Sequence, residues 1–144
     1  MPGMSSTPAT AADARHDPTV ADLEQKVAAA LDIAQRLGAS QSEASASFGT
    51  GLSVTVRMRA VETLEFHRDQ GLGVTVYFGH RKGSASTSDL GAAAIEESVR
   101  KACTLARYAA EDDCAGLADP ARLARDVPDL DLWHPWAVDA DGAV

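Results

Sequence analysis

The sequence predicts an α+β fold: an antiparallel meander sheet of four to five strands with two helices packed on one face. Three observations predict it. Two segments repeat apolar residues at spacings of three and four, the helical period. Between them apolar and polar residues alternate with the strand period of two. The links between alternating stretches are too short for the crossover that parallel neighbours require, so the strands are antiparallel. The order helix, meander, helix then places both helices on one sheet face.

The first 18 residues are rich in Ala, Ser, Thr, Pro and Asp and read as a disordered N-terminal tail. Thr19 follows as a helix N-cap with Asp22 three residues on, a short capping box. Val20, Leu23, Val27, Ala30, Leu31, Ala34 and Leu37 form the apolar stripe of the first helix. Gly38 closes it, because glycine adopts the left-handed conformation of a helix end at little cost.

The period then changes to two. Ala44, Ala46 and Phe48 are the apolar positions of a first strand, and Leu52, Val54, Val56 and Met58 those of a second. Leu64 and Phe66 mark a third, and Leu72, Val74, Val76 and Phe78 a fourth. Turns are expected at Gly49–Gly51, around Ala60, at Asp69–Gly71 and at Gly79–Arg81. Lys82 to Thr87 reads as a fifth, edge strand, whose Lys and Ser content discourages unwanted pairing. Ile95, Val99, Ala102, Leu105, Ala106 and Ala109 give the second helix its apolar stripe over about Ala92 to Ala110. Its wet face carries the i, i+4 pairs Glu96–Arg100 and Glu97–Lys101. The patterned domain is thus 19–119. Residues 120–144 read as an extended linker containing Leu132, Trp133 and Trp136, large apolar residues with little intrinsic reason to lie in a loop.

Composition excludes several function classes. The chain has 144 residues, 45% hydrophobic and 24% charged, a globular composition. Its formal net charge of −8 opposes nucleic-acid binding, which needs a basic face, and docking on anionic lipid. No stretch approaches the ~18 apolar residues of a membrane span. The N-terminus lacks the basic and apolar regions of a secretory signal. With two cysteines, Cys103 and Cys114, this pattern fits reduced thiols and a cytoplasmic protein.

The residues offer no catalytic or metal-binding set. His16, His67, His80 and His134 are scattered, and no two stand at the i, i+4 spacing of an HExxH zinc motif. Cys103 falls beside the second helical stripe as a small core residue, and Cys114 in an acidic turn. Gly79-His80-Arg81-Lys82-Gly83-Ser84 misses the phosphate-loop spacing. Arg57, Arg59, Glu62, Glu65, Arg68 and Asp69 are accounted for by cross-strand ion pairs. A sheet face of small and charged residues beside an exposed edge strand is also a surface on which an extended peptide can pair.

The ordered series Gly51–Arg57, Val61–Phe66, Gly71–Tyr77 and Arg81–Leu90 resembles the N-terminal domain of the TldD/PmbA family, on the PmbA (TldE) side. Ala106–Tyr108, Asp113–Asp119 and Pro128–Leu132 are similar to it as well, so the resemblance spans roughly Asp22 to Val144. It implies a non-catalytic domain of a cytoplasmic metalloprotease complex that degrades unfolded or extended peptides. The family is also named for modulation of DNA gyrase. The domain would form part of a peptide chamber and contact a TldD-like subunit in a heterodimer. Zinc is expected in that partner subunit, with no cofactor, metal ligand or catalytic residue in this chain. Arg81, Lys82, Ser84 and Ser86 are the candidate peptide or partner contacts on the edge strand. Trp133 and Trp136 would contact a C-terminal domain that family members carry and this chain lacks. The alternative is an autonomous small α+β binding or regulatory module without a proteolytic role.

Overall fold

The computed structural model describes residues 17–132, 134, 138, 142 and 143. Most of the expected N-terminal tail, and both Trp133 and Trp136, lie outside the described residues. The element order is α1 (Val20–Arg36), β1 (Gln41–Arg57), β2 (Ala60–Phe78), β3 (Arg81–Thr87) and α2 (Ala92–Tyr108), with a 3-10 turn at Pro120–Arg122. The sheet is antiparallel in the order β1-β2-β3. The fold is α+β with both helices on one sheet face, as expected.

The helix ends follow from their residues. The Thr19 side chain accepts from the Asp22 N–H at 3.1 Å, and Asp22 accepts from the Thr19 N–H at 2.9 Å. The reciprocal pair satisfies two of the amides that a helix start leaves open. At the other end Gly38 has φ +88°. Its N–H donates to the Gln35 carbonyl and that of Ala39 to the Ala34 carbonyl, the two bonds of a Schellman motif.

The strand count differs from expectation: there are three strands, two of them very long. Gly49–Gly51 and Asp69–Gly71 were natural turn positions, yet neither segment turns. They pair with each other, Gly49 opposite Asp69, Gly51 opposite His67 and Ser47 opposite Gly71. None of these glycines has positive φ; those that do are Gly38 and Gly79. Glycine tolerates an extended strand as well as a turn, so two glycine-bearing segments that face each other continue the ladder. The chain reverses at the turn expected around Ala60, with φ of 51° at Met58 and 64° at Arg59, so Met58 belongs to the turn and not to a strand. Positive φ at both central residues suits the right-handed twist of the flanking strands. Near this tip the register shifts between Thr55 and Val56, so Glu62 is an extra residue and Val61 comes to face Val56.

The core lies under the helices. Leu72, Val74 and Val76 of β2 are buried against Ala30 and Ala34 of α1 and Ile95, Val99, Ala102, Cys103 and Ala106 of α2. These are the aliphatic residues the low aromatic content demands, each worth ~1.5–3 kcal/mol when fully buried at Val or Leu size. Gly83 of β3 is buried at the closest approach: a Cβ there would lie 2.2 Å from the Ala102 carbonyl oxygen and 2.4 Å from the Ala106 nitrogen. Ser98 and Cys103 fill the remaining inward positions of α2. Burial pushes the Cys103 thiol up, against the opposing pull of Arg107 and Arg100. On the solvent side Glu96–Arg100 and Glu97–Lys101 form at 2.6 and 2.7 Å, and Lys101 lowers the Glu97 carboxyl.

Residues 49–57 and 60–70 extend past the helix layer as a two-stranded arm. Every residue from Ala60 to Gln70 is exposed, so the apolar side of this alternation has no cover among the described residues. Of the expected cross-strand ion pairs, Arg57–Glu62 forms at 3.2 Å, whereas Arg68 reaches Asp17 beside α1 at 3.1 Å.

Gly83→Ala places a methyl group against backbone that cannot rotate away, and it is expected to destabilise the domain by about 3 kcal/mol. Gly49→Ala, with nothing within 4 Å, serves as the control. Urea unfolding of both variants checks this, and equal midpoints would show that helix and strand do not pack so closely.

Candidate functional site

The period of two divides the sheet into a covered and an open face. Even-numbered Ala44, Ala46, Leu72, Val74 and Val76 meet the helices. The odd positions of β1 and β2 and the even positions of β3 lie opposite. Two cross-strand rows result: Glu43, Thr75 and Ser84, then Ser45, Gly73 and Ser86. They line a shallow concavity of about 520 Å³. Ser47, Gly71, Gln70 and Ser88 continue it along the sheet. The Thr75 and Ser84 hydroxyls share a hydrogen bond of 2.9 Å. Gln70 holds the end of β3 by donating to the Ser88 carbonyl at 3.0 Å.

One end of this face is closed by a buried phenol. Tyr77 is 3% exposed and donates its hydroxyl to Glu43 Oε1 at 3.3 Å. Burial, with the Glu43 charge and hydrogen bond adding to it, raises the Tyr77 phenol above its ordinary value of 10.0. The segment after α2 is anchored at the same end. Leu117 donates its N–H to Gln41 Oε1 at 3.0 Å, Asp112 donates to the His80 carbonyl at 3.0 Å, and a His80 ring nitrogen lies 3.3 Å from the Ala115 carbonyl.

The structure separates the expected contact residues. Lys82, Ser84 and Ser86 share the open face with the rows above. Arg81, one residue out of phase, reaches the other way: it pairs with Glu111 at 3.2 Å and donates to the Arg107 carbonyl at 3.4 Å. Arg107 in turn lies over the Phe78 ring at 5.0 Å and donates to the Leu37 carbonyl at 2.9 Å. Arg81 thus ties β3 to the end of α2 and stands apart from the open face. Glu43, Ser45, Gly73, Thr75 and Tyr77 join the candidate set, and their signal was parity, since each occupies the polar phase of a strand whose apolar phase was evident.

The face holds hydroxyls, a carboxylate and a lysine; the Ser84 hydroxyl bonds to Thr75, and the Glu43 carboxylate of the same row accepts from Tyr77. These groups are suited to hydrogen-bonding a ligand. Among the described residues no group of three or more His, Cys, Asp or Glu is placed to hold a metal. Cys103 is buried, Cys114 is exposed, and the His67 ring covers Gly51 on the arm, so these donors do not converge. Nor, among the described residues, is any helix long and apolar enough to cross a membrane.

Comparison with known proteins decides the family. Residues 42–106 match the family model for PmbA/TldA metallopeptidase domain 1. The chain is 48% identical over 123 residues to metalloprotease PmbA of Escherichia coli O157:H7. It is 44% identical over 122 residues to a metalloprotease PmbA homolog of Haemophilus influenzae. The chain belongs to the PmbA/TldD family through its first domain. Each of these alignments covers 85% of the chain but 27% of the relative, so the chain spans about a quarter of their length. A crystal structure of a protein from Bacteroides thetaiotaomicron, named as a modulator of DNA gyrase, superposes with a TM-score of 0.68 at 26% identity. That superposition covers 77% of this chain and 25% of the other. The family match includes β1 from Ser42, the whole arm, β3 and α2 to Ala106, and with them every residue of the two open-face rows.

The Tyr77 phenol holds its proton more tightly in the folded than in the unfolded chain. This stabilisation is complete below pH about 10 and is lost as the pH rises through the folded-state value. In a Tyr108→Phe background, the phenolate absorbance of Tyr77 is expected to rise with a midpoint above pH 10, and Glu43→Gln to lower that midpoint. A midpoint at or below 10 would contradict the burial of this hydroxyl.

Proposed function

We propose that this domain is a non-catalytic part of a cytoplasmic, zinc-dependent PmbA/TldD-type peptidase assembly. It supplies one wall of the chamber in which unfolded or extended peptides are cleaved, and it contacts a TldD-like subunit in a heterodimer. The observation that carries this reading is the open sheet face, with Ser45, Gly73 and Ser86 in one row and Glu43, Thr75 and Ser84 in the next. Small side chains let a peptide backbone approach closely, while hydroxyls and Glu43 bond to main-chain groups irrespective of peptide sequence. The neighbouring β3 has a sheet partner on one side only, which suits strand addition by an extended chain. Lys82 on the same face would attract a peptide carboxylate.

In this reading the metal and the cleavage step belong to the TldD-like partner, and no step is routed through this chain. The family match and the metalloprotease names of the relatives support the assignment to a peptidase assembly. Residues 120–144 serve as the link to the sequence that follows the first domain in those longer relatives.

The test is co-expression with a TldD-like subunit, followed by degradation of casein or a synthetic peptide with and without this chain. Co-purification and faster degradation are expected. Gly73→Leu fills the floor of the open face, where the nearest atom to a new Cβ is the Ser45 hydroxyl at 3.7 Å. It is expected to slow degradation about tenfold, the effect of losing ~1.4 kcal/mol of peptide binding, while leaving the unfolding midpoint near wild type. No complex and no change in degradation would remove the peptidase reading and favour an autonomous binding module.

A further inference from the structure

The outer edge of β3 and the outward flank of α2 meet at Gly83 and form a groove one strand wide. Its main-chain groups follow from the ladder. Ser40 donates its N–H to the Tyr77 carbonyl at 2.8 Å, so the main chain of Tyr77 is turned toward β1. These directions alternate along a strand, so Thr75 and Gly73 are turned the same way. Their partners on β3, Lys82, Ser84 and Ser86, then stand in non-hydrogen-bonded pairs, where side chains come closest. The Thr75–Ser84 hydroxyl bond of 2.9 Å fits that geometry. Lys82, Ser84 and Ser86 therefore direct both N–H and carbonyl away from β2, and no strand lies beyond β3 among the described residues. On the covered side α2 walls this edge. Arg107 reaches back to Leu37 and Phe78, which identifies the flank of α2 that faces α1. Leu105 lies on the opposite flank. It is level with Gly83, which packs against Ala102 and Ala106, and it is 55% exposed although it belongs to the apolar pattern of the helix.

We propose that this groove takes an extended peptide as a fourth strand and selects segments in which an apolar residue is flanked by acidic ones. On the peptidase reading above, on which this rests, such segments are the preferred substrates. The outward groups of Lys82, Ser84 and Ser86 bond to the main chain of any sequence, and the side chains around them supply the preference. A peptide residue opposite Gly83 points to the helix side, where the glycine leaves room and Leu105 offers an apolar contact. Its two neighbours point to the open face, because side chains alternate along a strand. One of them lies beside Lys82, whose ammonium is exposed and has no acidic partner among the described residues. The other lies beside the small Ser84. An acid on each side of the apolar residue meets Lys82 whichever way the peptide runs, and opposite charges facing each other across a ladder are favourable. Lys101, on the same flank as Leu105, is held by Glu97 at 2.7 Å, which leaves Leu105 as the apolar contact of the wall.

The probe is a fluorescein-labelled, threonine-based octapeptide with a central valine between two glutamates, titrated with the 144-residue chain and followed by fluorescence anisotropy. Saturable binding is expected, about tenfold tighter than for the same peptide with lysines in place of the glutamates. Lys82→Glu should reverse that order. Leu105→Asp should weaken binding about tenfold and leave the urea midpoint near wild type, since the side chain is more than half exposed. Ser84→Pro removes an N–H that the sheet does not use, a change an edge strand tolerates, and binding is expected to be lost. Two further peptides test the groove on the unaltered protein, should a variant fail to fold. One is N-methylated at the valine and the other at both glutamates. An added strand turns alternate amides to its neighbour, so one of the two should bind as before and the other should not. No saturable binding, equal behaviour of the two methylated peptides, or indifference to both Lys82→Glu and Leu105→Asp would overturn the proposal. Its failure is distinct from that of the peptidase reading. A chain that binds the probe without affecting degradation by a TldD-like subunit keeps the groove and loses the peptidase role. A chain that speeds degradation without binding the probe does the reverse.

Discussion

The close seating of α2 on β3 at Gly83 is the constraint on which the rest depends. With a side chain at that position, the helix backbone at Ala102 and Ala106 could not come so near, and Val99, Cys103 and Ile95 would lose their depth of burial against Val74 and Val76. Because the contact is backbone against backbone, it also fixes which face of β3 is inward. Ala85 shares that inward phase, and Ser84 and Ser86 must then face out. The candidate site is therefore the complement of the core, defined by the same packing decision.

Strand length extends that decision past the core. β1 and β2 keep one register from Gln41 and Tyr77 to Thr55 and Thr63, so the inward phase of the covered sheet becomes the apolar phase of the uncovered arm. One side of a single sheet thus has two settings: under the helices it builds the core, and beyond them it is exposed among the described residues. The bulge at Glu62 corrects the phase near the tip, which keeps Val61 on the apolar side despite its odd number.

Much of this was legible in the residues. The capping box at Thr19 and Asp22, the glycine stop at Gly38 and the phase of each strand were local patterns that the structure bears out, as it does the stripe of α2 except at Leu105, which is exposed while Ser98 and Cys103 are buried. The strand count was not, because glycine supports both a turn and an extended ladder, and the choice at Gly49–Gly51 rested on what Asp69–Gly71 did some twenty residues away. The site was half legible for a related reason. Lys82, Ser84 and Ser86 shared an evident phase, but Arg81 was grouped with them by adjacency, although neighbours along a strand point to opposite faces.

By itself the sequence determined the α+β class, the two helices with their ends, and which residues of each strand share a face, since all of these follow from periodicity and local hydrogen bonding. Only the tertiary structure decided that four short strands are two long ones, that Tyr77 and Glu43 close one end of the open face, and that the apolar side of the arm has no cover among the described residues. Those features depend on pairing between distant segments and on how far the helices reach along the sheet. Neither quantity is written in the pattern of any single segment.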